Sequence, residues 1–343
     1  MASKRVSDYI LLGIGLAVGT IRFGLVAVVA VSSSTISRKP LLALTGATGF
    51  IGQFLLNELP NRGYRLRVLL RRPANLPAQS SSAVIGDLAY PQNMVAALDG
   101  VDAVIHTAGV TRSMSGSPED DYRTINTDAT IGLARAAQRA GAKRFVFLSS
   151  IRAQTGASTD RVLIEDQEPQ PTNAYGRSKL AAEQGLAGLE MDWAALRLVL
   201  VYGPGCKGNM AKLVRLACSP YPLPFAGLTA RRSLLSVHNL VEAIDRVIVA
   251  PGPIKRPFIV ADPEPLTVPE MIAALRHGLG RKAGLFRVPS LLLKTIILAI
   301  GQDEIYQRLT GSLVADPSAL RRLNWIPQVS SPEGLAELSK VDL

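Results

Sequence analysis

Three glycines fix what this chain can fold into. In Thr45-Gly46-Ala47-Thr48-Gly49-Phe50-Ile51-Gly52 they follow a short apolar run, Pro40 to Leu44, and precede the helix-like stretch QFLLNELPNRG. Glycine lets the chain turn tightly and bring backbone N–H groups near a ligand. The third glycine allows a helix to pack closely on its strand. A helix that begins there offers free N–H groups and the positive end of its dipole to a pyrophosphate. The placement after a first strand therefore predicts a dinucleotide site built from Gly46, Thr48, Gly49, Phe50, Ile51 and Gly52.

Apolar strand-like runs then alternate with helix-like segments: YRLRVLL, a Pro-rich loop with AVIGDL, MVAALDG, DAVIHTAG, INTDATIGLARAAQRAG and RFVFLSS. Near-continuous apolar strands separated by helices predict a parallel sheet buried on both faces. The expected fold class is α/β, a Rossmann-type doubly wound sheet. After the helix-like AYGRSKLAAEQGLAG and the strand-like WAALRLVLVYG, proline and glycine become frequent (SPYPLPF, APGPIKRP, ADPEPLTVPE). A smaller C-terminal substrate domain is expected from this change. The expected boundaries are 41–202 plus about 232–262 for the dinucleotide-binding domain, with RRSLLSVHNLVEAIDRVI returning to it. About 203–231 and 263–343 form the substrate region. The apolar run Leu291–Ile300 is too short to span a bilayer and is expected to be a core-facing helix.

Residues 1–40 stand apart. Tyr9 to Val31 is an apolar run with one charge, Arg22. Its aliphatic and aromatic residues favour insertion by roughly −4 to −8 kcal/mol, against roughly +3 for a central Arg. Lys4 and Arg5 precede it and Arg38 and Lys39 follow, so charge does not set an orientation. Three readings stay open: a membrane anchor, a non-native start to the chain, and a cleaved signal peptide. The segment also carries part of the net charge of +11. The remainder suggests anionic small-molecule partners. Nucleic acid is not expected, since aromatics are only 5% and no recognition motif occurs. Cys206 and Cys218 with three histidines make no metal-ligand set, so no metal is expected.

Tyr175 and Lys179 form Tyr-x-x-x-Lys, which places both side chains on one helix face. A nearby ammonium is expected to lower the phenol pKa and suit Tyr175 to proton exchange. Ser149 and Ser150 end the preceding strand. The second strand ends in Leu70-Arg71-Arg72 with no acid, where an acid would hold a ribose 2′-OH and an arginine pairs with a 2′-phosphate. NADP(H) is therefore favoured, with NAD(H) open. Asp87, followed by Leu88, can accept from an adenine amino group.

Taken together, TGATGFIG, GDL, HTAG, SS, YGRSK and VYGPG resemble the extended short-chain dehydrogenase/reductase family, in its NAD-dependent epimerase/dehydratase group of UDP-glucose 4-epimerase-like enzymes. The resemblance runs from about residue 40 to the C-terminus. It implies that Ser150 binds the reacting oxygen, Tyr175 is the acid/base, and Lys179 tunes it and holds the ribose. It also implies that His106, Thr107, Ala108 and Gly109 line the cofactor and that Asn126 shapes the site. Asn209 and Arg232 match positions that contact the diphosphate of a nucleotide sugar. The implied activity is a 4-epimerase or 4-keto reductase, in a cytoplasmic catalytic domain that residues 9–31 would tether to the inner membrane if they are an anchor; a homodimer is compatible. The alternative is a non-catalytic NADP(H)-binding subunit of a membrane complex. Two departures are His238, where the family has an acid, and the basic Arg71-Arg72 pair.

Overall fold

The computed structural model describes residues 39–111, 118–289 and 309–341; the apolar runs at 9–31 and 291–300 lie outside these. The described residues make one compact unit. Its first half is built from β1 (Leu41–Thr45), α1 (Phe50–Asn61), β2 (Arg65–Leu70), β3 (Ser80–Val84), α2 (Met94–Ala97), β4 (Ala103–His106), α3 (Pro118–Tyr122), α4 (Ala129–Arg139) and β5 (Arg144–Ser150). The second half holds α5 (Ala174–Ala187), β6 (Asp192–Leu198), β7 (Leu200–Tyr202), α6 (Gly208–Cys218), β8 (Arg231–Arg232), β9 (Leu234–Ser236), α7 (Val237–Val249), β10 (Arg256–Val260), β11 (Leu266–Thr267), α8 (Val268–Gly278), α9 (Ser318–Arg321) and α10 (Ser331–Val341).

Seven strands form one sheet in the order β10-β6-β5-β4-β1-β2-β3. Every pair in it is parallel. The period-two pleat explains why its central strands are apolar throughout. Leu42 and Leu44 enter one core, and Leu41 and Ala43 the other. On β5, Val146 and Leu148 face the first core while Phe145 and Phe147 face the second. The strand order reverses between β1 and β4, and the crevice at their carboxyl ends is where a doubly wound sheet binds ligands.

Several local expectations shift. The strand-like run WAALRLVLVYG divides at Val199: β6 stays in the main sheet, and β7 leaves it to pair with β9. From RRSLLSVHNLVEAIDRVI, the strand pairs with β7, whereas its helix α7 packs against α1 and β5. The last strand of the main sheet is β10, beside β6. The edge strand β3 is the polar SSSAV, half-exposed, as an edge tolerates. A third apolar cluster lies under α6, α8 and α10, with Met210, Val214, Met271, Ile272 and Leu335 buried in it. Among the described residues no helix is long and apolar enough to cross a membrane.

Candidate active site

The glycine turn is held against the end of β4. Gly46 has φ +71°, and a Cβ there would lie 2.5 Å from Thr107 Oγ1 and 2.7 Å from the Ala108 nitrogen. A Cβ on Gly52 would overlap the Gly46 carbonyl oxygen. The Gly49 N–H donates to that same carbonyl at 2.9 Å. Thr107 Oγ1 donates to the Thr45 carbonyl at 2.7 Å. Thr48 and Gly49 are exposed, and Gly49 starts α1 with no side-chain cap. The turn is thus bare backbone at a helix N-terminus, a cradle that side chains would fill and that fits a pyrophosphate. Phe50 and Ile51 point the other way, into the apolar packing.

At the end of β2, Arg71 pairs with Asp87 at 3.0 Å; Arg71 is largely exposed and Asp87 partly so. Asp87 also accepts from the Ala89 N–H at 3.0 Å. Leu88 packs against the core. The two residues expected around the adenosine end therefore sit side by side.

His106 is fully buried between Thr45 Oγ1 at 2.7 Å and Thr130 Oγ1 at 3.0 Å. Thr130 Oγ1 already donates to the Asn126 carbonyl, so it accepts from His106 Nε2–H, and Nδ1 accepts from Thr45. Burial, then the Lys179 charge, lower the imidazole pKa to about 3. His106 is a neutral core histidine stacked on Phe147. Asn126 is equally buried: its amide clasps Val110 through Oδ1 at 2.9 Å and Nδ2 at 3.0 Å, and Nδ2 also reaches Ser178 Oγ at 3.2 Å. It lies in a wide π turn, Arg123–Asp128, which aims it across to α5. A Cβ on Gly109 would lie 2.9 Å from Asn126 Oδ1 and 3.4 Å from Lys179 Nζ. Asn126, expected among the cofactor contacts, holds the backbone of Val110, next to Gly109.

Asn173 starts α5 by accepting from the Gly176 N–H at 2.8 Å. Gly176 lies so close to the Arg152 carbonyl that a Cβ would overlap it. This contact brings Tyr175 to the end of β5, where its phenol lies beside the Ser150 hydroxyl. One turn on, Lys179 is 5% exposed; its Nζ donates to the Leu148 carbonyl at 3.0 Å and lies 4.5 Å from the centre of the Phe147 ring. Burial lowers the ammonium pKa to about 8, with Glu183 opposing.

The phenol runs against expectation. Burial raises the Tyr175 pKa, with Tyr122 adding to the rise, while the groups that oppose it are Ser150 and Arg152 rather than Lys179. The reason is geometric, since the Lys179 ammonium is engaged by the β5 backbone and the Phe147 face. Behind this trio lies a buried ion pair that the sequence did not reveal. Glu183 accepts from Ser149 Oγ at 2.5 Å and pairs with Arg197 at 2.6 Å, and Arg197 also reaches Gln154. Its only signal was Glu183 falling four residues after Lys179.

On the other side of Ser150 a cavity of about 520 Å³ opens. Ser150, Asn209 and Arg232 all line it, together with Arg152 and Lys212, which had not been singled out. Arg232 Nη2 donates to the Ala157 carbonyl at 2.8 Å. The helix start at the departure, His238, is capped by Ser236, whose Oγ accepts the His238 N–H at 3.3 Å.

The model of the NAD dependent epimerase/dehydratase family matches residues 42–261. The chain is 32% identical over 313 residues to a UDP-glucose 4-epimerase from Vibrio cholerae, covering 88% of this chain and 95% of that one. It is 27% identical over 283 residues to the N-acetyl-alpha-D-glucosaminyl-diphospho-ditrans,octacis-undecaprenol 4-epimerase of Escherichia coli O157:H7, covering 79% and 81%. Among solved structures, MoeE5 in complex with UDP-glucose and NAD superposes with a TM-score of 0.67 at 27% identity, covering 88% of this chain and 97% of that one.

Proposed function

Because the chain belongs to the NAD dependent epimerase/dehydratase family, and so is an enzyme of the extended short-chain dehydrogenase/reductase type using an NAD(P)-type cofactor, we propose that it exchanges a hydride at C4 of a nucleotide sugar, as a 4-epimerase or a 4-keto reductase. The observation that carries this reading is Tyr175 placed against Ser150, which lines a cavity together with Asn209 and Arg232.

The nicotinamide supplies hydride acceptance and donation when bound. Ser150 orients the reacting sugar oxygen, and Tyr175 takes or returns its proton. Lys179 anchors the nicotinamide ribose from the floor of the site; its charge assists Tyr175 once a ligand draws the ammonium off Leu148. Thr107, Ala108 and Gly109 line the cofactor, while Asn209 and Arg232 hold the diphosphate, Arg232 through its planar fork. Arg71 favours NADP(H): released from Asp87, it meets a 2′-phosphate.

A retained cofactor suits an epimerase, and net consumption of NADPH suits a reductase. The relative from Vibrio cholerae supports the first and Arg71 the second. The names of the relatives share a sugar epimerised at C4, whereas the Escherichia coli one carries a diphospho-undecaprenol where the Vibrio one carries UDP. The experiment is to incubate the protein with UDP-hexoses, UDP-N-acetylhexosamines and their 4-keto forms, with NAD or NADPH. C4 epimers interconverting without net cofactor use mark the epimerase. Stoichiometric loss of NADPH marks the reductase. Absence of both overturns the reading.

A further inference from the structure

A buried ion pair is a poor device for stability, because the cost of taking both charges out of water offsets their attraction, and apolar side chains of similar volume often do as well. Glu183 and Arg197 are both buried. Their bonds all run to the framework of the reacting groups. The carboxylate accepts from Ser149 Oγ at 2.5 Å, next in the chain to Ser150, and from Arg197 Nε at 3.1 Å and Nη2 at 2.6 Å. Arg197 stands opposite Ser149 in the β5–β6 register and also reaches the buried Gln154. Gln154 in turn donates to the Gln167 carbonyl at 2.8 Å and accepts the Gln170 N–H at 2.8 Å, three residues before the Asn173 cap of α5. One pair thus joins α5, the end of β5, β6 and the segment that leads into α5.

Tyr175, Lys179 and Glu183 recur every four residues, so they lie along one face of α5 with the carboxylate one turn beyond the ammonium. Among the described residues, the titratable groups facing Lys179 are Glu183 and Tyr175 of α5, the neutral His106 of β4, and Arg197 of β6 behind the carboxylate. Other charges on the elements packed against α5 are turned to other partners or to solvent. Arg152 and Tyr122 bear on Tyr175. Glu119 of α3 pairs with Arg177, and Asp120 and Asp121 are exposed and half-exposed. Arg123 and Asp128 of the π turn pair with each other, and Arg135 and Arg139 of α4 are exposed. A single carboxylate therefore stands between two buried cations.

We propose that Glu183 and Arg197 are positioning residues: the pair locks α5 to the end of β5 so that Ser150, Tyr175 and Lys179 keep one geometry, and its carboxylate supplies the charge that balances the Lys179 ammonium. Arg197 holds back part of that negative charge, so the two residues act on Lys179 in opposite directions. The part played in turnover rests on the function proposed above; the charge balance at Lys179 does not.

The test compares Glu183→Gln and Arg197→Met in the full chain, with 13C on the lysine Cε and Lys179→Met to assign the NMR signal. Both variants lower Tm, since each leaves one buried charge unpaired. The Lys179 titration midpoint is expected to fall by roughly one pH unit in Glu183→Gln and to rise in Arg197→Met. A pair that only holds the core together would lower Tm in both and move the midpoint in neither. The double variant Glu183→Leu/Arg197→Met guards against a single variant that does not fold. It should recover most of the Tm, lower the midpoint less than Glu183→Gln does, and leave kcat roughly 10²-fold down with KM little changed. Midpoints that do not move apart, or full kcat in the double variant, overturn the proposal. If the unaltered protein turns over no nucleotide sugar and the midpoints still move apart, the function proposed above fails and the charge balance stands. If it turns over and the midpoints stay together, the reverse holds.

Discussion

The Ser150 hydroxyl and the Tyr175 phenol lie side by side across the gap between β5 and α5, close enough for the serine to oppose the rise of the phenol pKa, although they come from segments separated by a long loop. Two close contacts make this pairing: Asn173 sets where α5 begins, and Gly176 lets it approach the Arg152 carbonyl. Tyr175→Phe removes the proton-transferring oxygen and leaves the ring packing against Tyr122. Turnover is expected to fall roughly 10²–10⁴-fold with cofactor affinity kept. Ser150→Ala should lower kcat in the same direction and move KM little. Steady-state kinetics with fluorescence titration of the cofactor checks both.

Gly176 gives a prediction about geometry rather than chemistry. Gly176→Ala forces α5 away from the turn that follows β5, because the new methyl would occupy the place of the Arg152 carbonyl oxygen. Overpacking of this kind costs about 1–3 kcal/mol. The expected result is a lower Tm together with a loss of kcat larger than the loss of cofactor affinity.

Lys179 links the site to pH. Its pKa falls from 10.5 in the unfolded chain to about 8 in the folded one, chiefly through burial. Between these values the unfolded chain binds more protons, so this group makes stability rise with pH from about 8 to 10.5. Below pH 8 the folded protein carries the full cost of a buried ammonium. Lys179→Met should therefore raise stability at pH 7 while abolishing turnover, with its advantage shrinking above pH 8. Urea unfolding at pH 7, 9 and 10.5 reads the difference.

Arg71 and Asp87 hold each other at the surface, so removing one frees the other. Arg71→Ala is expected to weaken NADPH binding about tenfold or more and leave NADH nearly unchanged. Asp87→Asn should preserve the NADPH preference. Parallel titrations with the two dinucleotides decide it.

Much of the fold was legible because it is written in local patterns. The glycines at 46, 49 and 52, the apolar strands β1, β4 and β5, and the Tyr175–Lys179 spacing each carry their reason within a few residues. What was not legible depends on distant partners. The sequence around Val199 reads as one unbroken strand, and only pairing with β9 pulls β7 out of the sheet. The lowered phenol pKa expected from the Tyr175–Lys179 spacing ignored the Leu148 carbonyl, which engages the ammonium. Glu183 lies on α5, Arg197 on β6 and Gln154 in the segment after β5, and they meet only when these parts of the chain pack. Lys212 could have been found, since it follows Asn209 by three residues on α6.

In the proposed reaction the hydrogen on the sugar C4 travels as a hydride while Tyr175 handles the hydroxyl proton. Turnover of a C4-deuterated UDP-sugar in ordinary water, followed by NMR and mass spectrometry, tests it most directly. Hydride transfer leaves the deuterium on C4 of the product or on the nicotinamide, slows turnover with the label, and is all but stopped by Tyr175→Phe. Deuterium released to water, or full turnover in Tyr175→Phe, rules this reaction out.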